Sequence, residues 1–355
     1  MDGADAPGAL KIDVFTHIYP EAFYRRLVRI LEETTVPAPF QPPVRHSTPL
    51  VDLEARFRLM DRVQPYVQVL CLASPPIEVL ARGGQAVELA ELANDGMAAL
   101  VDRHPDRFVG FVASLPMDDV EAAVREAERA VEELGATGVQ IFTNVLGKPL
   151  DRPEFLPLFE RMATYDLPIW VHPTRGPGVA DYPVESRSRF GIWWALGWPY
   201  ETAVSMVRMA FSGIFDRFPN LKIITHHAGG ILPYVGSRLG PAGGLEMAVR
   251  RPDGEEDVRA WESLRHPIET YLRRFYADTA LFGNAPALAC ALAFFGVDHV
   301  LFGSDTPFGP GGGEVYLREA IRAVEALPLS AEEKRQIFGG NASRLLRLQG
   351  VERIG

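Results

Sequence analysis

Short apolar runs closed by polar or turn residues alternate along this chain with longer stretches in which apolar positions recur every three or four residues. Eight of the runs read as strands: KIDVFTHI (11–18), YVQVLCLAS (66–74), FVGFVASLP (108–116), GVQIFTN (138–144), PIWVHP (168–173), KIITHHAGG (222–230), RFYADTA (274–280) and HVLFGSD (299–305). Between them, 52–63, 118–135, 152–165, 201–219, 285–296 and 312–327 carry helical spacing. The clearest is 118–135, with an acidic start, alanines on one face and a glycine stop. Strands alternating with helices over this length predict a single (β/α)8 TIM barrel across 1–355, with a doubly wound sheet as the alternative.

The polar residues favour the barrel, because a barrel builds its site from the carboxyl ends of several strands. His17, His172, the pair His226–His227 and Asp305 all fall at such ends, in the first, fifth, sixth and eighth runs. Imidazoles and a carboxylate converging at a barrel mouth form a nitrogen and oxygen donor set suited to zinc or a similar divalent ion, with a position left open. Strand alternation says that His226 and His227 cannot face one site in the same way. Insertions interrupt the pattern after the first, fifth and sixth strands. The stretch 174–200, rich in tryptophan (Trp193, Trp194, Trp198), reads as a lid or a subunit contact, and 241–272 as a solvated excursion.

A formal net charge of −10 argues against a general nucleic-acid or anionic-membrane surface and favours small-molecule chemistry. No apolar run approaches the length of about 18 residues that a membrane-spanning helix needs. The first residues lack a secretory pattern, and the two cysteines, Cys71 and Cys290, sit in apolar runs as reduced thiols, so a cytoplasmic location is expected. Neither a Walker loop nor a dinucleotide fingerprint is present, and no nucleotide or redox cofactor is expected.

The segments KIDVFTHIYP, PIWVHP, THHAGGILPYVGSRL, HVLFGSDTPFG and IFGGNASRLLRL resemble, in order, signature segments of the amidohydrolase-related family that includes aminocarboxymuconate-semialdehyde, resorcylate and carboxyvanillate decarboxylases. The resemblance implies a metal-bearing barrel, commonly a homodimer, acting on a small aromatic or unsaturated carboxylate. It implies metal ligands at His17, His172 and Asp305, and a divalent ion, zinc first and manganese second. It places catalysis on His227 and Asp305, turns His226 to the other side, and gives Arg238 the substrate carboxylate, in that family often across the dimer interface.

One position departs from the family pattern: Phe15 stands where the first ligand of a His-x-His pair is expected. His17, His172 and Asp305 would remain, and three protein ligands with a water suffice for a catalytic zinc. His226, Asp13 or Asp278 are the candidates to complete the set. Asp13 shares the face of Phe15 and His17 by alternation, although a hydrogen-bonded structural role is the stronger reading for it. Asp278 reads as a group that orients a ligand. Phe15 either fills volume or offers a wall for a substrate ring, and Arg45 and His46 read as exposed surface. The leading expectation is a metal-dependent, non-oxidative decarboxylase. The alternatives are a metal-dependent hydrolase or hydratase, and a metal-free cyclase, isomerase or binding protein.

Overall fold

In the computed structural model, residues 8–33, 48–240, 243, 250 and 254–348 are described; Arg45 and His46 lie outside them. The eight expected strands all form: β1 (Lys11–Ile18), β2 (Tyr66–Leu72), β3 (Phe108–Ser114), β4 (Val139–Phe142), β5 (Ile169–His172), β6 (Ile223–Thr225), β7 (Tyr276–Asp278) and β8 (Val300–Leu301). They pair in chain order as one parallel sheet. The sheet closes where the segment after β8 meets β1, through Val14 N donating to Phe302 O at 3.0 Å, His17 N donating to Thr306 O at 2.7 Å, and a bridge between Thr16 and Thr306.

Alternating strand positions separate two cores. Ile12, Val14, Phe15, Val67, Val69, Cys71, Val112, Trp170, Ile224 and Leu301 fill the inside of the barrel and meet Ala342, Leu345 and Leu346 below. Trp170 spans that interior and donates its Nε1 hydrogen to Val14 O at 3.1 Å. The outward residues pack under a shell of helices: α1 (Glu21–Glu33), α2 (Leu53–Met60), α3 (Gly84–Arg103), α4 (Val120–Glu132), α5 (Leu156–Tyr165), α6 (Gly197–Phe211), α7 (Ala285–Phe295) and α8 (Glu314–Glu325).

The helices form where local chemistry permits. Asp119 caps α4 by accepting from Ala122 N at 3.0 Å, and Ala122, Ala123, Ala127 and Ala130 form its buried stripe. The longest helix, α3, is not among the segments named from the pattern, although Ala86, Leu89, Ala90, Ala93 and Met97 recur there at helical spacing and are buried. A Cβ at its Gly96 would stand 2.3 Å from Pro20 Cβ, so glycine is what lets α3 approach the segment entering α1.

The stretch 174–200 is irregular up to the short helix Ile192–Ala195, runs into α6 at Gly197, and is tied down. Asp181 accepts from Ser188 Oγ at 2.7 Å and from Arg189 N at 2.9 Å, and Trp198 Nε1 donates to Arg175 O at 2.8 Å. Within 241–272 the described residues include helices Glu255–Ser263, with no buried side chain, and Ile268–Leu272, so the excursion is partly helical. Among the described residues no helix is long and apolar enough to cross a membrane.

Candidate metal centre

The first strand reaches the site through a bulge. Asp13 stands opposite Gln68 and Thr16 opposite Leu70, so Val14 and Phe15 together face the single residue Val69. The extra residue resets the alternation: Phe15 and His17 point inward, while Asp13 points to the opposite face. There its carboxylate accepts from Phe15 N at 3.2 Å, Ser304 N at 3.1 Å, Tyr66 Oη at 2.7 Å and Ser304 Oγ. Asp13 is therefore a structural residue and does not share the face of His17. Phe15 has no exposed surface, and its ring stacks on the His226 imidazole at 3.8 Å between centroids. Of the two readings of Phe15, its burial and its stacking on His226 favour the one in which it fills volume beneath the site.

His172 follows Trp170 on the inward face of β5. Its Nδ1 lies 2.6 Å from Pro173 O, which places the proton on Nδ1 and leaves the Nε2 lone pair for the centre. His226 likewise follows Ile224 inward. Its Nδ1 is hydrogen-bonded to Asp278 Oδ2, and its Nε2 lies 3.3 Å from Asp305 Oδ1. Asp278 Oδ1 is occupied by Ala228 N at 2.9 Å and Ala280 N at 3.0 Å, which leaves it as a fixed orienting group rather than a ligand.

The expectation that His226 faces away from the site is overturned by the backbone. Strand β6 stops at Thr225, and His227, Ala228, Gly229 and Gly230 all have positive φ (53°, 54°, 75° and 63°). His226 keeps the inward face that alternation from Ile224 gives it, and the left-handed turn breaks the alternation after it and brings the His227 ring to the same side, their centroids 3.9 Å apart. Gly230 is required: a Cβ there would stand 2.1 Å from Pro199 O.

Three imidazole nitrogens, from His17, His172 and His226, lie within 4.8 Å of one another, and the same holds for donor atoms of His226, His227 and Asp305. Both groups are buried. His17 Nε2 is 3.1 Å from Asp305 Oδ1, yet neither ring nitrogen of His17 has a hydrogen-bond partner among the described residues. Buried polar atoms without partners are rare. A cation between these groups would satisfy one of the two orphaned His17 nitrogens, and the donor set of imidazoles and one carboxylate is that of a divalent transition-metal site.

The electrostatics point the same way. Burial, reinforced by His226, His17 and His227, holds His172 well below the usual histidine range and keeps it a neutral donor. Burial and His226 also lower His227. Burial would raise Asp305, but the neighbouring imidazoles of His17, His226 and His227 outweigh it and hold the carboxyl well below its ordinary value, ionised. His226 is the exception: burial would lower it, and Asp278 and Asp305 raise it to about 9. To act as a ligand it must give up its second proton.

Aromatic rings surround the cluster. Phe308 lies 5.2 Å from His17 between centroids, Phe142 5.5 Å and Trp198 5.3 Å from His172, and Phe282 5.8 Å from His227. Phe142, Phe282 and Phe308 were not among the expected site residues; their only signal was position at the end of the fourth strand and beyond the seventh and eighth. Arg238 lies in the turn Gly236–Arg238, is exposed, and makes no hydrogen bond or ion pair with the cluster.

A closed parallel barrel with histidines and an aspartate gathered at its rim defines the class of metal-centred (β/α)8 enzymes. The family pattern described as Amidohydrolase matches residues 52–348, and the chain belongs to that family. It is 33% identical over 310 residues to gamma-resorcylate decarboxylase from Polaromonas sp. strain JS666, covering 84% of this chain and 89% of that one. It is 31% identical over 297 residues to 2-amino-3-carboxymuconate-6-semialdehyde decarboxylase of Dictyostelium discoideum, covering 84% and 77%. The crystal structure of a dihydroxybenzoic acid decarboxylase from Polaromonas sp. JS666, with bound manganese and the inhibitor 2-nitroresorcinol, superposes with a TM-score of 0.75 at 28% identity, covering 98% of this chain and 99% of that one.

Proposed function

We propose that this protein removes carboxylate as CO2 from a small aromatic or unsaturated acid, using a divalent metal ion held by His17, His172 and His226 with Asp305. The observation that carries the reading is the convergence of three inward imidazoles on one buried point beside an ionised carboxylate. Phe15 removes one expected ligand, and the inward turn of His226 offers a replacement, which favours a retained metal over a metal-free barrel. When bound, such an ion supplies a Lewis acid that binds the substrate's oxygens and offsets negative charge developing on the ring or diene.

The residues do the rest. His227 Nε2 lies 3.8 Å from Asp305 Oδ2, a separation at which the ionised carboxylate favours a protonated His227 as the proton donor. That proton passes to the carbon bearing the carboxylate, and the electrons of the breaking C–C bond return to that carbon as CO2 leaves. The surrounding aromatic rings exclude water from the site. Manganese, as in the Polaromonas structure, and zinc both suit the donor set.

The protein acts as a homodimer in this reading, with exposed Tyr182, Val184, Phe190, Leu196 and Tyr234 at the contact and Arg238 reaching the carboxylate in the partner's site. Mixing inactive Arg238→Ala and His227→Ala proteins should then restore part of the activity, and no recovery removes the shared site. For the reaction itself, metal-loaded protein is incubated with 2,6-dihydroxybenzoate and 6-methylsalicylate and CO2 is followed. Stoichiometric CO2 with the decarboxylated phenol is expected; ring opening or water addition alone transfers the site to hydrolysis or hydration.

A further inference from the structure

Between the insertion after β5 and the turn after β7, four aromatic rings run in a chain. Tyr316, Phe282, Trp194 and Trp198 follow one another at centroid separations of 4.3, 6.0 and 6.4 Å. The chain ends on the cluster, with Trp198 6.1 Å from His227 and Phe282 5.8 Å from the same imidazole. Its two middle members are not core residues: Trp194 is 39% exposed and Phe282 37%.

Phe282 is also strained. Its φ of 52° lies in the left-handed region, which a bulky side chain rarely adopts. The next residue, Gly283, has φ 87°, and a Cβ there would stand 2.7 Å from Glu319 Cβ, so the turn is fixed against α8. The ring gains little burial in return for the strained backbone. Strain of this kind, in a residue the core does not need, marks a group held in place for a ligand. The turn begins just beyond Asp278, the carboxylate that orients His226, so Phe282 and the cluster are set by the same short segment.

We propose that Phe282 and Trp194 determine specificity by recognising a planar aromatic ring, so that the acid accepted is carried on a ring rather than on an open chain. The inference rests on the decarboxylase reading and narrows it. A flat ring presents its full face or edge to both side chains and gains the offset-stacked or edge-to-face geometry that aromatic pairs favour. An open-chain dienoic acid of similar length offers less contact and loses more rotational freedom on binding. The ring chain carries no charge, so it discriminates by shape and leaves the carboxylate to other groups.

The test is binding to full-length, manganese-loaded protein, measured by calorimetry with 2-hydroxybenzoate and hexa-2,4-dienoate, for the native protein, Phe282→Gly and Trp194→Leu. The native protein should favour the ring by about tenfold, and each variant should bring the two affinities within about twofold. Phe282→Gly should hold or raise the melting temperature, because glycine adopts this φ without strain. Equal native affinities, or a preference unchanged in both variants, would overturn the proposal. So would a Phe282→Gly protein that melts earlier while keeping its preference, since Phe282 would then be a packing residue. CO2 release is scored separately: a protein that prefers the ring but releases none keeps this inference and loses the preceding one.

Discussion

His226 is held between two carboxylates, with Nδ1 hydrogen-bonded to Asp278 and Nε2 3.3 Å from Asp305 Oδ1. The first contact fixes the ring and the second aims it at the point where His17 and His172 converge. Asp278→Asn keeps the shape of the orienting group but removes its charge. Metal affinity, measured by competition with a chelator, should fall by about 10–100-fold. Unchanged affinity would show that the orientation of His226 does not matter to the metal.

His172 Nε2 is left free for the centre by the hydrogen bond from Nδ1 to Pro173 O. His172→Ala should leave the purified protein without stoichiometric metal and lower CO2 release by roughly a hundredfold or more. Dialysis of the native protein against a chelator should reproduce the loss, and added manganese or zinc should reverse it. Full activity in metal-free protein would require chemistry by His227 and Asp305 alone.

Phe15 lies beneath His226 with no exposed surface. Phe15→Leu should destabilise the protein by about 1 kcal/mol, measured by denaturant unfolding, while the KM of the acid stays within about twofold. A large rise in KM with unchanged stability would return Phe15 to the substrate.

Glu78, in a short helix after β2, is 1% exposed, and its Oε1 has no hydrogen-bond partner among the described residues. Burial pushes its carboxyl from 4.5 up to about 7. A folded-state value above the unfolded one means that its contribution to stability is complete below about pH 4.5 and is lost as the pH rises through 7. Glu78→Gln should therefore match the native protein near pH 4 and exceed it by about 3 kcal/mol at pH 8. Denaturant midpoints at the two pH values check the sign; a variant less stable at pH 8 contradicts it.

The strands were legible because apolar runs such as YVQVLCLAS and PIWVHP end at the residues that stop the ladder, and a barrel gathers such ends at one face. What resisted reading was local backbone geometry. A bulge at Val14–Phe15 turned Asp13 away from His17. Positive φ at His227 turned its ring toward the point that His226 already faces. Strict alternation is the only rule sequence offers for strand facing, and neither a bulge at non-glycine residues nor a left-handed histidine announces itself in composition. Phe282 escaped for a related reason, since its strain exists only in three dimensions.

The seam that joins β1 to the segment after β8 has a further consequence. His17 is translated well before Asp305, and their strands meet through a handful of backbone contacts. A nascent chain still lacking the segment after β8 has no carboxylate in its donor set, so a complete site would form only after that segment is made. Once captured, the ion would pin two segments far apart in the chain to each other, and local opening of the cylinder would first have to release it.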